Sequence, residues 1–153
     1  METIDSNNRL LKAEEIVIGA VVNAPNLPYK KSHALALVAG EMALPNTEWI
    51  QAGNTLFIAH HGVGPNEKKM VGRAFNMDTG WNFIANIRKY IKHLQNKGIT
   101  HYTTQFTGDG YLPVFQKLQK EAKAAGDTQI AIGRMQDKNE YVVYVKLGKN
   151  PIG

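Results

Sequence analysis

A chain of 153 residues, 43% hydrophobic and 20% charged, has the length of one ordinary domain and the balance of a globular protein, not a disordered or fibrous one. It has no cysteine, which excludes disulfides, zinc–thiolate sites and a cysteine nucleophile, and no apolar run reaches the ~18 residues of a membrane span. The net charge of +5 is uneven, with 7 Lys+Arg against 8 Asp+Glu in residues 1–80 and 11 against 5 in residues 81–153, so the second half reads either as a footprint for phosphate or, its lysines being scattered, as ordinary solvated surface.

The start, Met1 to Glu15, is polar and mildly acidic, unlike a secretory signal, and a cytoplasmic setting fits. Residues 1–14 read as a flexible arm and 15–153 as a single domain. Glu15 to Val22 is rich in β-branched residues and predicts a buried strand, stopped by Asn23-Ala24-Pro25. Ser32 can cap a helix running to Leu44, apolar nearly all round (Ala34, Leu35, Leu37, Val38, Met42) and so expected to be buried. Pro45 stops it, and Asn46 to Gln51 predicts another short turn of helix. Strands are expected at Thr55–His60 and Lys69–Met77, joined as a hairpin through Gly62-Val63-Gly64-Pro65-Asn66.

The strongest helix signal is Thr79 to Lys97. Trp81, Ile84, Ile87, Ile91 and Leu94 recur at steps of three and four and form one stripe. Asp78 or Thr79 can cap its start, and Gly98 followed by Ile99 suits a left-handed stop. A strand from Thr100 to Phe106, a glycine turn at Thr107-Gly108-Asp109-Gly110 and a helix from Tyr111 to Ala125 follow. Pro113 falls in that helix's first turn, where it is tolerated. Strands at Gln129–Met135 and Glu140–Leu147 close the chain as a hairpin. The order predicts a mixed α/β (α+β) fold: a largely antiparallel twisted sheet flanked by helices, with one strand–helix–strand crossover.

From Lys69 to Leu147 this succession resembles the GNAT family of acyl-CoA-dependent N-acetyltransferases. The resemblance implies that Lys69–Met77 is the central strand that holds the pantetheine arm and that Thr100–Phe106 splays away from it. It further implies that the helix opening at Asp78 to Trp81 receives the cofactor's pyrophosphate, with Met77, Thr79, Gly80, Trp81 and Asn82 as the acyl-CoA-binding residues. Free N–H groups and a partial positive charge at a helix start suit a phosphate. Here Gly80 matches the family's glycine-rich turn, but a second glycine and the leading Arg or Gln are missing, and Asp78 would repel phosphate. The family's tyrosine acid falls on Phe115, which has no proton to give, and Tyr111 one turn earlier is the substitute. His60 and His61, late in a strand, should point to opposite faces; His61 or its neighbour, or Glu67 in the next turn, is placed to deprotonate an amine acceptor. No spacing suggests a metal site. The size and ending also resemble small GNAT-like internal virion proteins of T7-type phages.

Three functions follow. The first is transfer of an acyl group, such as acetyl from acetyl-CoA, to an amine. The second is a non-catalytic scaffold of this fold, binding virion or host proteins. The third is nucleic-acid binding through Arg88, Lys89, Lys92 and Lys97 with Tyr90.

Overall fold

The computed structural model describes residues 31–135 and 139–153. The expected arm and the strand at Glu15–Val22 lie outside the described residues. In chain order the elements are α1 (Lys31–Met42), β1 (Thr47–Ala52), β2 (Thr55–His61), β3 (Lys69–Asn76), α2 (Gly80–Asn96), β4 (His101–Thr107), α3 (Leu112–Ala125), β5 (Gln129–Arg134) and β6 (Glu140–Lys146). Short 3-10 turns occupy Gly64–Asn66 and Asp109–Tyr111.

The six strands form one sheet in the order β1-β2-β3-β4-β6-β5. Every neighbouring pair is antiparallel except β3 and β4, which are parallel. A parallel pair needs a crossover, and α2 supplies it. The mixed fold and the adjacency of the Lys69 and Thr100 strands therefore follow the expectation. Helices α2 and α3 cover one face in a core containing Ile84, Ile87, Leu94, Phe106, Leu118 and Val143. On the other face Val38 of α1 packs on Leu56 and Ile58.

Three local expectations are corrected. Asn46 to Gln51 is no helical turn; it enters β1, whose Ala52 pairs with Thr55 across the two-residue loop Gly53-Asn54. Gly53 has φ +57°, the left-handed value that glycine takes at the first central position of such hairpin loops. Helix α1 is not buried all round, because Ala36, Ala39 and Gly40 are exposed while Val38 is buried. It rests on the sheet by one side.

The third correction is Trp81. Ile84, Ile87, Ile91 and Leu94 are buried as the stripe requires, but Trp81 is 71% exposed. It sits in the first turn of α2, with the Lys117 ammonium 4.9 Å from its ring centre instead of core side chains. The far end of α2 closes as expected. Gly98 takes φ +77°, its N–H reaches the Gln95 carbonyl at 3.0 Å, and Ile99 N–H reaches the Leu94 carbonyl at 3.0 Å. This pair of bonds satisfies carbonyls the helix would otherwise leave open.

Candidate functional site

Pairing between β3 and β4 covers Lys69↔His101, Met70↔Tyr102 and Val71↔Thr103, and stops there. Beyond it, β3 continues to Asn76 on β2 and β4 continues to Thr107 on β6. The strands diverge into a cleft. Gly72 is the first residue past the last pair, and a Cβ there would stand 2.5 Å from the Ile58 carbonyl oxygen, so the crowding of β2 requires glycine.

Strand parity shows what lines the cleft. Gly62 N–H bonds the Lys69 carbonyl and Met77 N–H bonds the Asn54 carbonyl, so odd-numbered β3 residues direct their backbone groups to β2. Leu147 N–H bonds the Thr100 carbonyl and Gly108 N–H bonds the Asn139 carbonyl, so even-numbered β4 residues direct theirs to β6. The backbone groups of Gly72, Ala74 and Asn76 on one side, and of Gln105 and Thr107 on the other, therefore face the cleft.

Its mouth is the start of α2. Thr79 occupies the cap position in extended conformation, and its own side chain makes no capping hydrogen bond. Phe83 N–H takes the Thr79 carbonyl at 2.8 Å, which leaves the amides of Gly80, Trp81 and Asn82 without an intrahelical acceptor. A Cβ at Gly80 would meet nothing within 4 Å.

Asp78, the other candidate cap, reaches across to the β1–β2 loop. Its carboxylate accepts from the Asn54 backbone N–H at 2.9 Å, the Asn54 side-chain amide at 3.2 Å and the Asn86 side-chain amide at 2.5 Å. The Asn86 amide also donates to Thr55 Oγ1 at 2.9 Å, and Thr55 Oγ1 donates to Asn76 Oδ1 at 2.7 Å. This network, with Asn86 and Thr55 buried, fastens the entry of α2 to the β1–β2 loop and the end of β3.

A parallel pair that parts beyond three residue pairs, with the start of α2 beside the gap, matches the layout that the resemblance implied. The fold is GNAT-like. No protein-family model matches the sequence, and no curated protein matches it. Among solved structures the chain is similar to the ribosomal-protein-S18-alanine N-acetyltransferase from Escherichia coli, at 15% identity and TM-score 0.49, covering 99% of this chain and 94% of that one. It is also similar to an acetyltransferase of the GNAT family from Streptococcus pneumoniae, at 11% identity and TM-score 0.45, covering 90% and 94%. Neither lends support to the resemblance to phage virion proteins.

The GNAT-like frame separates the candidate residues. Met77, Thr79, Gly80, Trp81 and Asn82, around the start of α2, are all exposed. Tyr111, at the start of α3, packs edge-on against Phe83 of α2, 5.1 Å between ring centres. Phe115 does not reach the cleft as a polar group would need to; it is buried, stacked on Phe106 at 4.8 Å. His61 pairs with Met70 at the opposite end of β3, roughly 20 Å from Asn76 at ~3.3 Å per residue. Glu67 lies in the turn beyond it, exposed. His61 and Glu67 are thus remote from Tyr111. As expected, the two histidines face opposite ways: His60 meets Glu41 of α1, whereas His61 Nδ1 lies 3.0 Å from the Gly62 carbonyl oxygen.

Sequence reading missed the charged pairs. His93 Nε2 lies 2.6 Å from Glu48 Oε1, and Lys97 bonds the other oxygen of the same carboxylate. Burial alone would raise the Glu48 pKa, but the hydrogen bonds and charges of His93 and Lys97 outweigh it and hold the group at about 2. Arg88 grips Glu121 of α3 through two hydrogen bonds, Nε to Oε1 at 2.9 Å. These pairs weaken the nucleic-acid reading, since Arg88 and Lys97 are engaged within the protein. Tyr90, 2% exposed, is stacked on Phe57 at 4.2 Å and offers no ring to a base. Among the described residues no cluster of His, Asp and Glu is arranged to hold a metal, and no helix is long and apolar enough to cross a membrane.

Proposed function

We propose that this chain holds an acyl-CoA in the cleft between β3 and β4 and transfers its acyl group to an amine. The observation that carries the reading is the end of β3–β4 pairing at Val71 and Thr103, which leads to a first turn of α2 whose amides have no intrahelical acceptor. The site fits the group: Gly80 leaves open space where a Cβ would stand, and the Asp78 carboxylate is occupied by N–H donors. The amides of Gly80, Trp81 and Asn82 would hold the pyrophosphate, and the cleft-facing groups of Gly72 and Ala74 would hold the pantetheine amides. Bound acyl-CoA would supply an acyl carbon activated as a thioester. The chain's own part is positioning, with a backbone N–H of β3 aimed at the carbonyl oxygen, and the Tyr111 phenol as proton donor at the mouth.

Calorimetric titration with acetyl-CoA, with desulfo-CoA as a second ligand, tests the reading. Binding by the parent is expected, with loss of binding and an unchanged melt in Gly80→Val. Asp78→Asn is not expected to strengthen binding. It presents an amide where three donors need an acceptor, so it loosens the entry of α2. Silence of the parent toward both ligands would discard the acyl-CoA reading. A second reading, a CoA-binding scaffold without turnover, is favoured by the burial of Phe115 at the family's acid position. Free thiol release from acetyl-CoA in the presence of amines separates the two.

A further inference from the structure

We infer that Thr47, His60 and Glu41 form a relay of nucleophile, base and positioning carboxylate that cleaves short-chain carboxylic esters through an acyl-Thr47 intermediate. Thr47 Oγ1 lies 2.7 Å from His60 Nδ1, and His60 Nε2 lies 3.0 Å from Glu41 Oε1. An ionised carboxylate only accepts, so in the neutral ring Nε2 carries the proton and Nδ1 keeps its lone pair toward the Thr47 hydroxyl, whose other acceptor, the Pro45 carbonyl oxygen, is farther off at 3.3 Å. That tautomer is the one a general base needs. Glu41 is itself fixed, with Arg73 Nε at 3.3 Å from the same oxygen and only 14% of its side chain exposed.

Three elements bring the residues together. His60 and Thr47 are cross-strand partners on β2 and β1, and Glu41 descends from the last turn of α1. Asn46, directly before Thr47, has φ 59°, the only positive value outside glycine among the described residues, and it turns the chain sharply into β1. Thr47 also lines a surface pocket with Glu48, Trp49, His61 and Lys97. The site lies on β1 and β2, apart from the cleft.

In the first step the Thr47 hydroxyl proton passes to His60 Nδ1 as Oγ1 bonds the acyl carbon. The ester C–O bond then breaks, and the alcohol leaves with that proton. In the second step water gives its proton to Nδ1, its oxygen bonds the acyl carbon, and the carboxylic acid departs as Oγ1 recovers the proton. No oxidant, metal or further reactant is consumed.

The test is p-nitrophenyl acetate hydrolysis by the full chain, with mass analysis of the peptide that contains Thr47. A burst of p-nitrophenol and one acetyl group on Thr47 are expected. Thr47→Val, which keeps the shape of the side chain, and His60→Gln should each lower the rate by about 10²- to 10⁴-fold. His101→Gln, outside the relay, should keep the parent rate. Glu41 acts through His60. Arg73 in turn holds the Glu41 carboxylate. Glu41→Gln should lower kcat with little change in KM, while thermal melts show that each variant folds. Absence of acetyl on Thr47, acetyl on another residue, or an unchanged rate in Thr47→Val would overturn the assignment.

Discussion

Tyr90 buries a hydroxyl that has no hydrogen-bond partner among the described residues. Burial, with the charges of Tyr102 and Glu48, pushes its pKa well above the ordinary value. An unsatisfied buried hydroxyl costs about 1–3 kcal/mol, so Tyr90→Phe should leave stability unchanged or raise it in urea unfolding. A clear loss of stability would show that the hydroxyl is satisfied. Glu48 gives the opposite lesson. In the unfolded chain its carboxylate protonates near the ordinary 4.5, whereas in the fold it does so only at about 2. Between these values the unfolded chain binds the extra proton, so the stabilisation from Glu48 is full above pH 4.5 and drains away as pH falls toward 2. Glu48→Gln should be less stable near neutrality and lose less on acidification; unfolding midpoints at pH 7, 4 and 3 would show it. Parallel acid losses in parent and variant would contradict this account.

Helix α2 is the element that carries both the core and the site, and its two ends respond differently. Ile87→Ala should cost about 2–5 kcal/mol, because its side chain is buried and leaves a cavity. Trp81→Ala should change stability by no more than about 0.5 kcal/mol, the usual range for an exposed side chain. Urea unfolding of both variants checks the contrast. This helix was legible in the sequence because its apolar period and its Gly98-Ile99 stop are local signals. Strand β1 was not legible: six residues carry little periodicity, and Gly53-Asn54 shows its meaning only once Ala52 faces Thr55. The role of Asp78 was hidden for a related reason. Its partners Asn54 and Asn86 lie 24 and 8 positions away, and one of them comes from a hairpin loop. The Glu48–His93 pair spans 45 positions, beyond any spacing rule. For the cleft, the chain order indicated which two strands would flank it, but not where their pairing would end.

The whole sheet consists of two halves, β1–β2–β3 and β4–β6–β5, joined by three paired residues on each side. What holds them together is the aromatic layer beneath. Tyr90 of α2 stacks on Phe57 of one half and meets Tyr102 of the other edge-on, 5.5 Å between centres. The cleft can therefore stay open without the halves parting. Such an opening leaves a strand edge inside the sheet, and it has a signature in amide hydrogen exchange. Along β3 the amides of Arg73 and Phe75 bond to β2, while those of Gly72 and Ala74 face the cleft. Deuterium should enter alternate positions of this one strand, quickly at Gly72 and Ala74 and slowly at Arg73 and Phe75. Uniform protection along β3 would mean that the edge is closed in solution. If the alternation is found, the two fast amides become reporters that slow whenever any molecule, peptide strand or cofactor, fills the gap beside them.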